Sequence, residues 1–278
     1  MTLHQTLTTD FVAAYPAQPA TAYWRGIEIA TLVDAQLPEG LGLDLGCGDG
    51  ILTEILLRRG GERRLVGIDI DPQETSAAHR FDFYERIHTC TAHAIPEADE
   101  TFDFVISNSV LEHIPDLEGV IAEVGRVLKR GGEFLFTVPC PTFRDNLSGS
   151  LFGSKDRETY LAELDRRLVH LNYLTEADWT RLCERHGLVV DSCRGYLSAA
   201  ETRRWETLSR FTGGLLHALT RGRKRPIEIQ RSLGLRALQN RASLPRWAAQ
   251  AIARLIASGS GGRDADPPSC LLVRGHRR

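Results

Sequence analysis

Apolar residues in the first half of the chain change repeatedly between two spacings. Short, nearly continuous apolar runs at 41–45 (LGLDL), 64–71 (RLVGIDID) and 102–108 (FDFVISN) are typical of strands that are buried on both faces. Segments 49–60 and 118–132 instead repeat apolar residues at helical spacing and end at glycines. With two further strands predicted from RIHTC and EFLFTVP, this alternation predicts a parallel, doubly wound α/β sheet.

The ends of the first two predicted strands carry glycines and acids. Three glycines alternate over 46–50, Asp44 stands two residues before the first of them, and Asp69 closes the second strand. Ligands bind doubly wound sheets at the carboxyl ends of the strands. A dinucleotide fingerprint, GxGxxG, would need a glycine where the chain has Ile51, which argues against a nicotinamide cofactor. The pattern DxGxGxG is instead typical of sites that bind S-adenosylmethionine, a sulfonium amino acid. Its glycines have no side chain, so the backbone can approach this ligand closely.

Four ordered motifs extend this pattern over about a hundred residues. LDLGCGDG, GIDIDP, AHAIPEADETFDFVISNSVLEHI and EVGRVLKRGGEFLFTVP resemble the class I S-adenosylmethionine-dependent methyltransferases of the type 11 group. The resemblance implies a seven-stranded, Rossmann-like sheet whose last strand runs antiparallel. Segments 189–196 and 269–276 would be the sixth and seventh strands, with a helical insertion between them.

The resemblance also implies a set of contacts with the cofactor. Asp44 would help to hold the ammonium end of the methionine moiety, and Asp69 would accept hydrogen bonds from both ribose hydroxyls. Thr91 departs from the family, which often has an acid there for the adenine amino group. The expected cofactor-binding residues are Asp44, Gly46, Cys47, Gly48, Gly50, Asp69, Ile70, Ala92, His93, Asn108 and Ser109.

Methyl transfer to a hydroxyl needs a base that removes the proton as the bond forms, and histidine is a common choice. His113, just past the fourth strand, is the candidate, although its imidazole could instead only pack the following turn. The candidate substrate contacts lie in the N-terminal cover and in a lid after the fifth strand; they are Tyr15, Tyr23, Arg25 and His170. We predict no metal site, because no ligand set is identifiable and HxCxxH at 88–93 crosses a strand.

Charge is distributed unevenly along the chain. Residues 201–278 hold 16 basic against 5 acidic side chains, whereas residues 1–200 hold 18 against 31. Together with this asymmetry, the resemblance implies an N-terminal helical cover over 1–40, a methyltransferase core over 41–200, a basic helical insertion or lid over 201–268, and the final strand over 269–278.

Helices are predicted in the insertion at 204–220, 228–240 and 244–259, followed by a linker. The last of them combines Trp247, Ile252, Leu255 and Ile256 with Arg246 and Arg254, as basic helices at membrane surfaces do. Contact of 201–260 with an anionic membrane therefore competes with packing as a lid or interface. Nucleic acid is the weaker partner, because aromatic residues do not alternate with the basic ones.

The expected protein is a cytoplasmic methyltransferase, peripheral at the membrane if the basic insertion docks there. The start of the chain lacks a secretory pattern, and six scattered cysteines without a CxxC pair suit reduced thiols. The expected reaction is O-methylation of a small-molecule, lipid-linked or glycan-linked acceptor. N- or C-methylation, or cofactor binding without methyl transfer, are the alternatives, and the oligomeric state is left open.

Overall fold

Seven strands form one sheet in a computed structural model that describes residues 1–150, 154–211, 244–257 and 267–278. The strand order is β3-β2-β1-β4-β5-β7-β6, and the pairs among β1 to β5 are parallel. β7 pairs antiparallel with β5. The strands are β1 Leu41–Leu45, β2 Arg64–Asp69, β3 Tyr84–Thr89, β4 Phe102–Asn108, β5 Leu128–Pro139, β6 Leu188–Tyr196 and β7 Cys270–Arg277. The predicted doubly wound sheet with an antiparallel last strand is confirmed.

The helices of the described residues are numbered here in chain order. They are α1 Leu3–Ala14, α2 Pro19–Ala35, α3 Ile51–Gly60, α4 Pro72–Ala78, α5 Leu117–Val127, α6 Thr142–Asn146, α7 Arg157–Leu168, α8 Glu176–Arg185, α9 Ala199–Ser209 and α10 Arg246–Ile256, with a 3₁₀ turn at Leu111–His113. None of them is long and apolar enough to cross a bilayer. The helix predicted at 228–240 lies outside the described residues, as does most of the predicted linker.

Contacts divide the chain into two compact units. The sheet unit comprises residues 32–141, 171–195 and 270–278, and the helical unit comprises 1–31, 142–170 and 196–269. The domain boundaries drawn from the sequence remain a prediction. Residues 142–170, which they placed in the core, cluster with the N-terminal helices.

The sheet unit has a large apolar core, because both faces of its central strands are buried. Leu43 on β1, Val105 on β4 and Phe134 on β5 are fully buried together with Val120 and Val124 of α5. These side chains repeat with the strand and helix periods that the sequence shows. The core therefore fixes the positions at which the loops leave the carboxyl ends of the strands.

One predicted boundary is wrong by five residues. The helical pattern over 118–132 ends at Val127, and β5 begins at Leu128 rather than at Glu133. Leu128 is fully buried and lies opposite Phe102 of β4, and Lys129 forms a 2.7 Å ion pair with Asp103. Pairing with the neighbouring strand satisfies this backbone and therefore overrides the local helical spacing.

The helical unit packs around aromatic and small apolar residues. The ring of Trp24 lies 5.3 Å from that of Trp205 and 5.5 Å from that of Phe143, between centroids. α1 contacts α10, and α10 buries Ala249 and Ala253. Two helices predicted in the basic insertion are thus present in part, as α9 and α10.

Candidate functional site

A cavity of about 520 Å³ opens at the carboxyl ends of β1 to β4 within the sheet unit. This volume falls in the range of small-molecule sites. Residues predicted from the sequence to contact the cofactor or to act as the base line it, namely Gly46, Asp69, Ile70, Ala92, His93 and His113. Parallel strands that end at the same edge bring these separate segments together, as expected for a doubly wound sheet.

The glycine-rich loop after β1 is attached to the end of β2 by its own amides. Gly46 N and Cys47 N donate to Ile68 O at 2.8 and 2.9 Å, and Gly48 N donates to Asp69 Oδ2 at 3.0 Å. The chain turns tightly here because Gly46, Gly48 and Gly50 all have φ between 53° and 81°. Such angles favour glycine over any residue with a Cβ.

The three glycines have different surroundings. A Cβ at Gly46 would lie 2.3 Å from Val110, and one at Gly50 would lie 2.6 Å from Phe81. A Cβ at Gly48 would meet nothing nearer than Glu74 Oε2 at 3.9 Å. Gly46 and Gly50 are therefore required by packing, whereas Gly48 presents bare backbone to open space, as a cradle for a ligand does.

The carboxylate of Asp69 lies at the rim of this loop. Its Oδ2 accepts from Gly48 N, and its Oδ1 accepts from Asp71 N at 2.9 Å. Burial raises the pKa of Asp69. The amide hydrogen bonds favour the charged form and oppose this shift, but burial is the larger effect. Each carboxylate oxygen can accept a further hydrogen bond, so the geometry suits two adjacent ligand hydroxyls.

Asp44, predicted to hold an ammonium group, is not among the residues that line the cavity. It is fully buried, and its Oδ2 accepts from Thr53 Oγ1 at 2.6 Å and from the Tyr84 hydroxyl at 2.5 Å. Burial raises its pKa to about 6, with the two hydroxyl donors acting in the opposite direction. The carboxylate thus joins β1, α3 and β3, and its contact with a ligand stays a prediction.

The other predicted cofactor residues also lie at strand ends but do not line the cavity. Asn108 ends β4 and Ser109 follows it; both are buried, and Ser109 has φ of 49°, a strained conformation for a residue with a side chain. Ser109 N donates to Thr137 O of β5 at 2.9 Å, which holds this conformation. Burial raises the pKa of the Cys47 thiol far above its usual range, so it stays protonated.

His113 ends the 3₁₀ turn that follows β4. Its amide donates to Val110 O at 2.9 Å, its side chain is 38 % exposed, and it lines the cavity. The nearest oxygen of the buried Glu112 lies 3.9 Å from Nε2. An imidazole that is partly open to a ligand cavity has the access that a general base needs.

Sequence reasoning missed several lining residues, including Cys90, Val110, Pro115 and Asp116. They adjoin the ends of β3 and β4, so the positions after each predicted strand could have identified them. The side chains alone carry no such signal, since Val110 and Pro115 are ordinary apolar residues.

The predicted substrate contacts all lie in the helical unit. Tyr23 is fully buried with its ring 5.5 Å from that of His4, and Tyr15 ends α1. Arg25 forms an ion pair with the buried Glu28, and the ring of His170 lies 5.9 Å from that of Phe143. Burial of Tyr23 favours a packing role for that residue, and the other three assignments stay predictions.

Comparisons with known proteins agree with the motifs. The model of the methyltransferase domain matches residues 43–136. A ubiquinone biosynthesis O-methyltransferase from Hahella chejuensis (strain KCTC 2396) is 33% identical over 171 residues, which are 56% of this chain and 69% of that protein. A protein of the same name from Azoarcus sp. (strain BH72) is 30% identical over 162 residues, 55% of this chain and 66% of that protein. This chain therefore spans about two thirds of the length of these relatives.

A solved structure gives the same fold over a longer span. Geranyl diphosphate methyltransferase in complex with S-adenosylmethionine is 16% identical, with a TM-score of 0.56 over 94% of this chain and 90% of that chain. At this identity the likeness concerns the fold alone.

Proposed function

Because the chain belongs to the class I S-adenosylmethionine-dependent methyltransferases, we propose that it methylates a hydroxyl group of a small or lipid-linked molecule. Its cofactor is S-adenosylmethionine. The main observation in favour of this proposal is that His113 lines the same cavity as Asp69 and Gly46 of the glycine-rich loop. The names of the relatives, which refer to O-methylation in ubiquinone biosynthesis, support oxygen as the acceptor atom.

The residues around the cavity would have two roles, cofactor binding and removal of a proton from the acceptor. Asp69 would accept the ribose hydroxyls, Gly48 would let the backbone approach, and Ala92 with His93 would flank the adenine. The cofactor supplies an activated methyl group, so alignment in a water-poor pocket provides most of the acceleration. His113 would then take the proton of the acceptor hydroxyl, which raises the nucleophilicity of its oxygen.

The test is a product analysis with acceptors of different chemistry. The purified protein and S-adenosylmethionine are incubated with catechol, a catechol that carries a prenyl chain, a primary alcohol and a primary amine. Release of S-adenosylhomocysteine together with a product one methyl heavier at oxygen is the expected result. Methylation of the amine alone would contradict it. Cofactor binding in calorimetry without turnover of any acceptor would favour the alternative of a binding protein that transfers no methyl.

We also propose that α10 contacts an anionic membrane surface, which would bring the enzyme to lipid-linked acceptors. Trp247 and Leu255 are each 75 % exposed, and their spacing of eight residues puts them on one face of the helix. Arg246 and Arg254 are exposed beside them, and the helix has no acid. A helix with aromatic and aliphatic residues flanked by arginine suits the interface between headgroups and acyl chains.

Intrinsic fluorescence gives a direct test of this contact. Of the four tryptophans, all within the described ranges, Trp24, Trp179 and Trp205 are buried, so a change on vesicle binding reports on Trp247. Vesicles of phosphatidylglycerol should shift the emission to the blue and release the protein as salt is raised, because the arginine contribution is screened. Vesicles of phosphatidylcholine should bind it poorly.

Two matched variants separate lipid contact from packing. Leu255→Ser changes an exposed residue and should weaken vesicle binding with unchanged thermal stability. Ile256→Ser, at the buried neighbouring position, should lower stability instead. Equal emission spectra with and without phosphatidylglycerol at low salt would exclude membrane contact through this helix.

A further inference from the structure

The turn that carries His113 is too short to be stable by itself. It is a 3₁₀ helix of three residues, held locally by His113 N to Val110 O at 2.9 Å and Ile114 N to Leu111 O at 3.3 Å. Hydrogen bonds in short 3₁₀ turns have poor geometry. Forming the first turn of any helix is unfavourable, because the conformational entropy lost on fixing its residues outweighs the hydrogen bond that is gained. Contacts from elsewhere in the chain must therefore fix the direction of the imidazole.

These contacts come from residues 171 and 172, between α7 and α8. Leu171 N and Asn172 N both donate to Glu112 O, at 2.7 and 3.2 Å. The amide nitrogen of the Asn172 side chain, Nδ2, donates to Leu111 O at 3.0 Å and to Ile114 O at 2.7 Å. Four hydrogen bonds thus reach three carbonyl groups on and beside the turn.

The chemistry of the side chain at 172 is specific. Both partners of Nδ2 are carbonyl oxygens, so the opposite orientation of the amide would place Oδ1 against two acceptors. An ionised aspartate has the same shape, but its side chain offers only hydrogen-bond acceptors. A leucine side chain offers neither donors nor acceptors. Among side chains of this size, only that of asparagine provides two donors on one nitrogen without a charge.

We propose that Asn172 is a positioning residue for the methyl transfer, which holds the His113 turn at the rim of the cavity. This inference rests on the proposed role of His113 as the base. Asn172 does not itself line the cavity, whereas Val110, His113 and Ile114 do. It acts on the reaction through the turn, and its loss should leave the glycine-rich loop and Asp69 unaffected.

Hydrogen exchange tests the structural half of the proposal without any acceptor. In Asn172→Ala the amides of His113 and Ile114 should exchange about 5 to 150 times faster, from the loss of two net hydrogen bonds. The amide of Val105 in β4 should exchange as in the wild type. Leu171→Ala truncates an exposed side chain and keeps all four hydrogen bonds, so it should exchange at the wild-type rate. Unchanged exchange at His113 in Asn172→Ala would overturn the proposal.

A spectroscopic measurement reports on the imidazole itself. In nuclear magnetic resonance spectra, the ring signals of His113 in Asn172→Ala should move toward those of a histidine in an unfolded peptide. Asn172→Asp should have the same effect at neutral pH, because it keeps the shape and loses the donors. Ring signals that coincide with the wild type in both variants would contradict the positioning role.

Kinetics with catechol, or with whichever hydroxyl acceptor gives turnover, separates this proposal from that for His113. Asn172→Ala should lower kcat about 5- to 150-fold with less than a threefold change in KM for S-adenosylmethionine, and should cost nothing further in a His113→Ala background. Full turnover of His113→Ala would refute the assignment of His113 as the base. Faster hydrogen exchange at the turn in Asn172→Ala would in that case still support the role of Asn172 in holding the turn. A slow His113→Ala together with a fully active Asn172→Ala would refute the catalytic role of Asn172 alone.

Discussion

The buried carboxylate of Asp44 should lower the stability of the fold at neutral pH relative to its protonated form in mild acid. Its pKa is about 6 in the folded protein against an ordinary value of 3.8, with burial as the main cause. A carboxyl whose pKa is raised by folding stabilises the protein when protonated, and this contribution is lost as the pH rises through about 6. The difference corresponds to about 3 kcal/mol of unfolding free energy between roughly pH 4 and pH 7.

Replacement of Asp44 by asparagine should remove this loss. The Oδ1 of asparagine can still accept from the hydroxyls of Thr53 and Tyr84, which keeps the contacts of the carboxylate without its charge. At pH 8 we expect the free energy of unfolding to rise by up to about 3 kcal/mol, which is roughly 6 to 12 °C in Tm for a chain of this size. Cofactor affinity should fall if Asp44 holds the ammonium group.

Calorimetry over pH 4 to 8 measures both effects, with Asp82→Asn as the control. Asp82 is exposed, and surface changes of this kind are usually within about 0.5 kcal/mol. Between about pH 4 and pH 6, the wild type and the control should each lose about 3 kcal/mol of stability relative to Asp44→Asn. A lower Tm of Asp44→Asn than of the wild type at pH 8, or the same slope of stability between about pH 4 and pH 6 in both proteins, would refute the reasoning.

Four further variants test the site. Asp69→Ala should weaken S-adenosylmethionine binding by roughly 1.5 to 3 kcal/mol for each lost hydrogen bond, and unchanged affinity in calorimetry would contradict the ribose contact. Gly48→Ala should fold at a cost of roughly 1 to 2 kcal/mol from its positive φ yet bind the cofactor poorly, whereas Gly46→Ala should unfold readily because its Cβ meets Val110 at 2.3 Å. His113→Ala should lose about 10² to 10⁴ in turnover with cofactor affinity near normal, and the wild-type rate should fall as the imidazole protonates; a flat pH profile would leave a packing role.

The sequence was sufficient for the sheet, because its strands are buried on both faces and the motifs mark their ends. It was also sufficient to predict several residues that line the cavity, such as Gly46, Asp69 and Ile70. Each of these lies at or directly after the end of a predicted strand. The end of α5 could not be found in this way, because the conformation of Leu128 is set by Phe102 on another strand.

Contacts between distant segments account for the other differences. Tyr84 is forty residues from Asp44 and shows no polar signal in the sequence, yet its hydroxyl contacts that carboxylate. Ile256 and Leu255 look equivalent in a basic amphipathic pattern, but the first is buried and the second is exposed. Asn172 lies in a segment where the sequence drew attention to His170. Side-chain partners at such separations depend on the completed fold.

The position of β7 between β5 and β6 affects the order in which the sheet can be completed during synthesis. β6 ends at Tyr196 and β7 begins at Cys270, so the ribosome adds residues 197–269 before the neighbour of β6 exists. At ordinary elongation rates this takes roughly 4 to 15 s. During that time β5 and β6 each expose an unpaired strand edge, which can pair with other chains. The nascent protein should therefore be most susceptible to aggregation, and most dependent on chaperones, after the cofactor-binding loops have already formed.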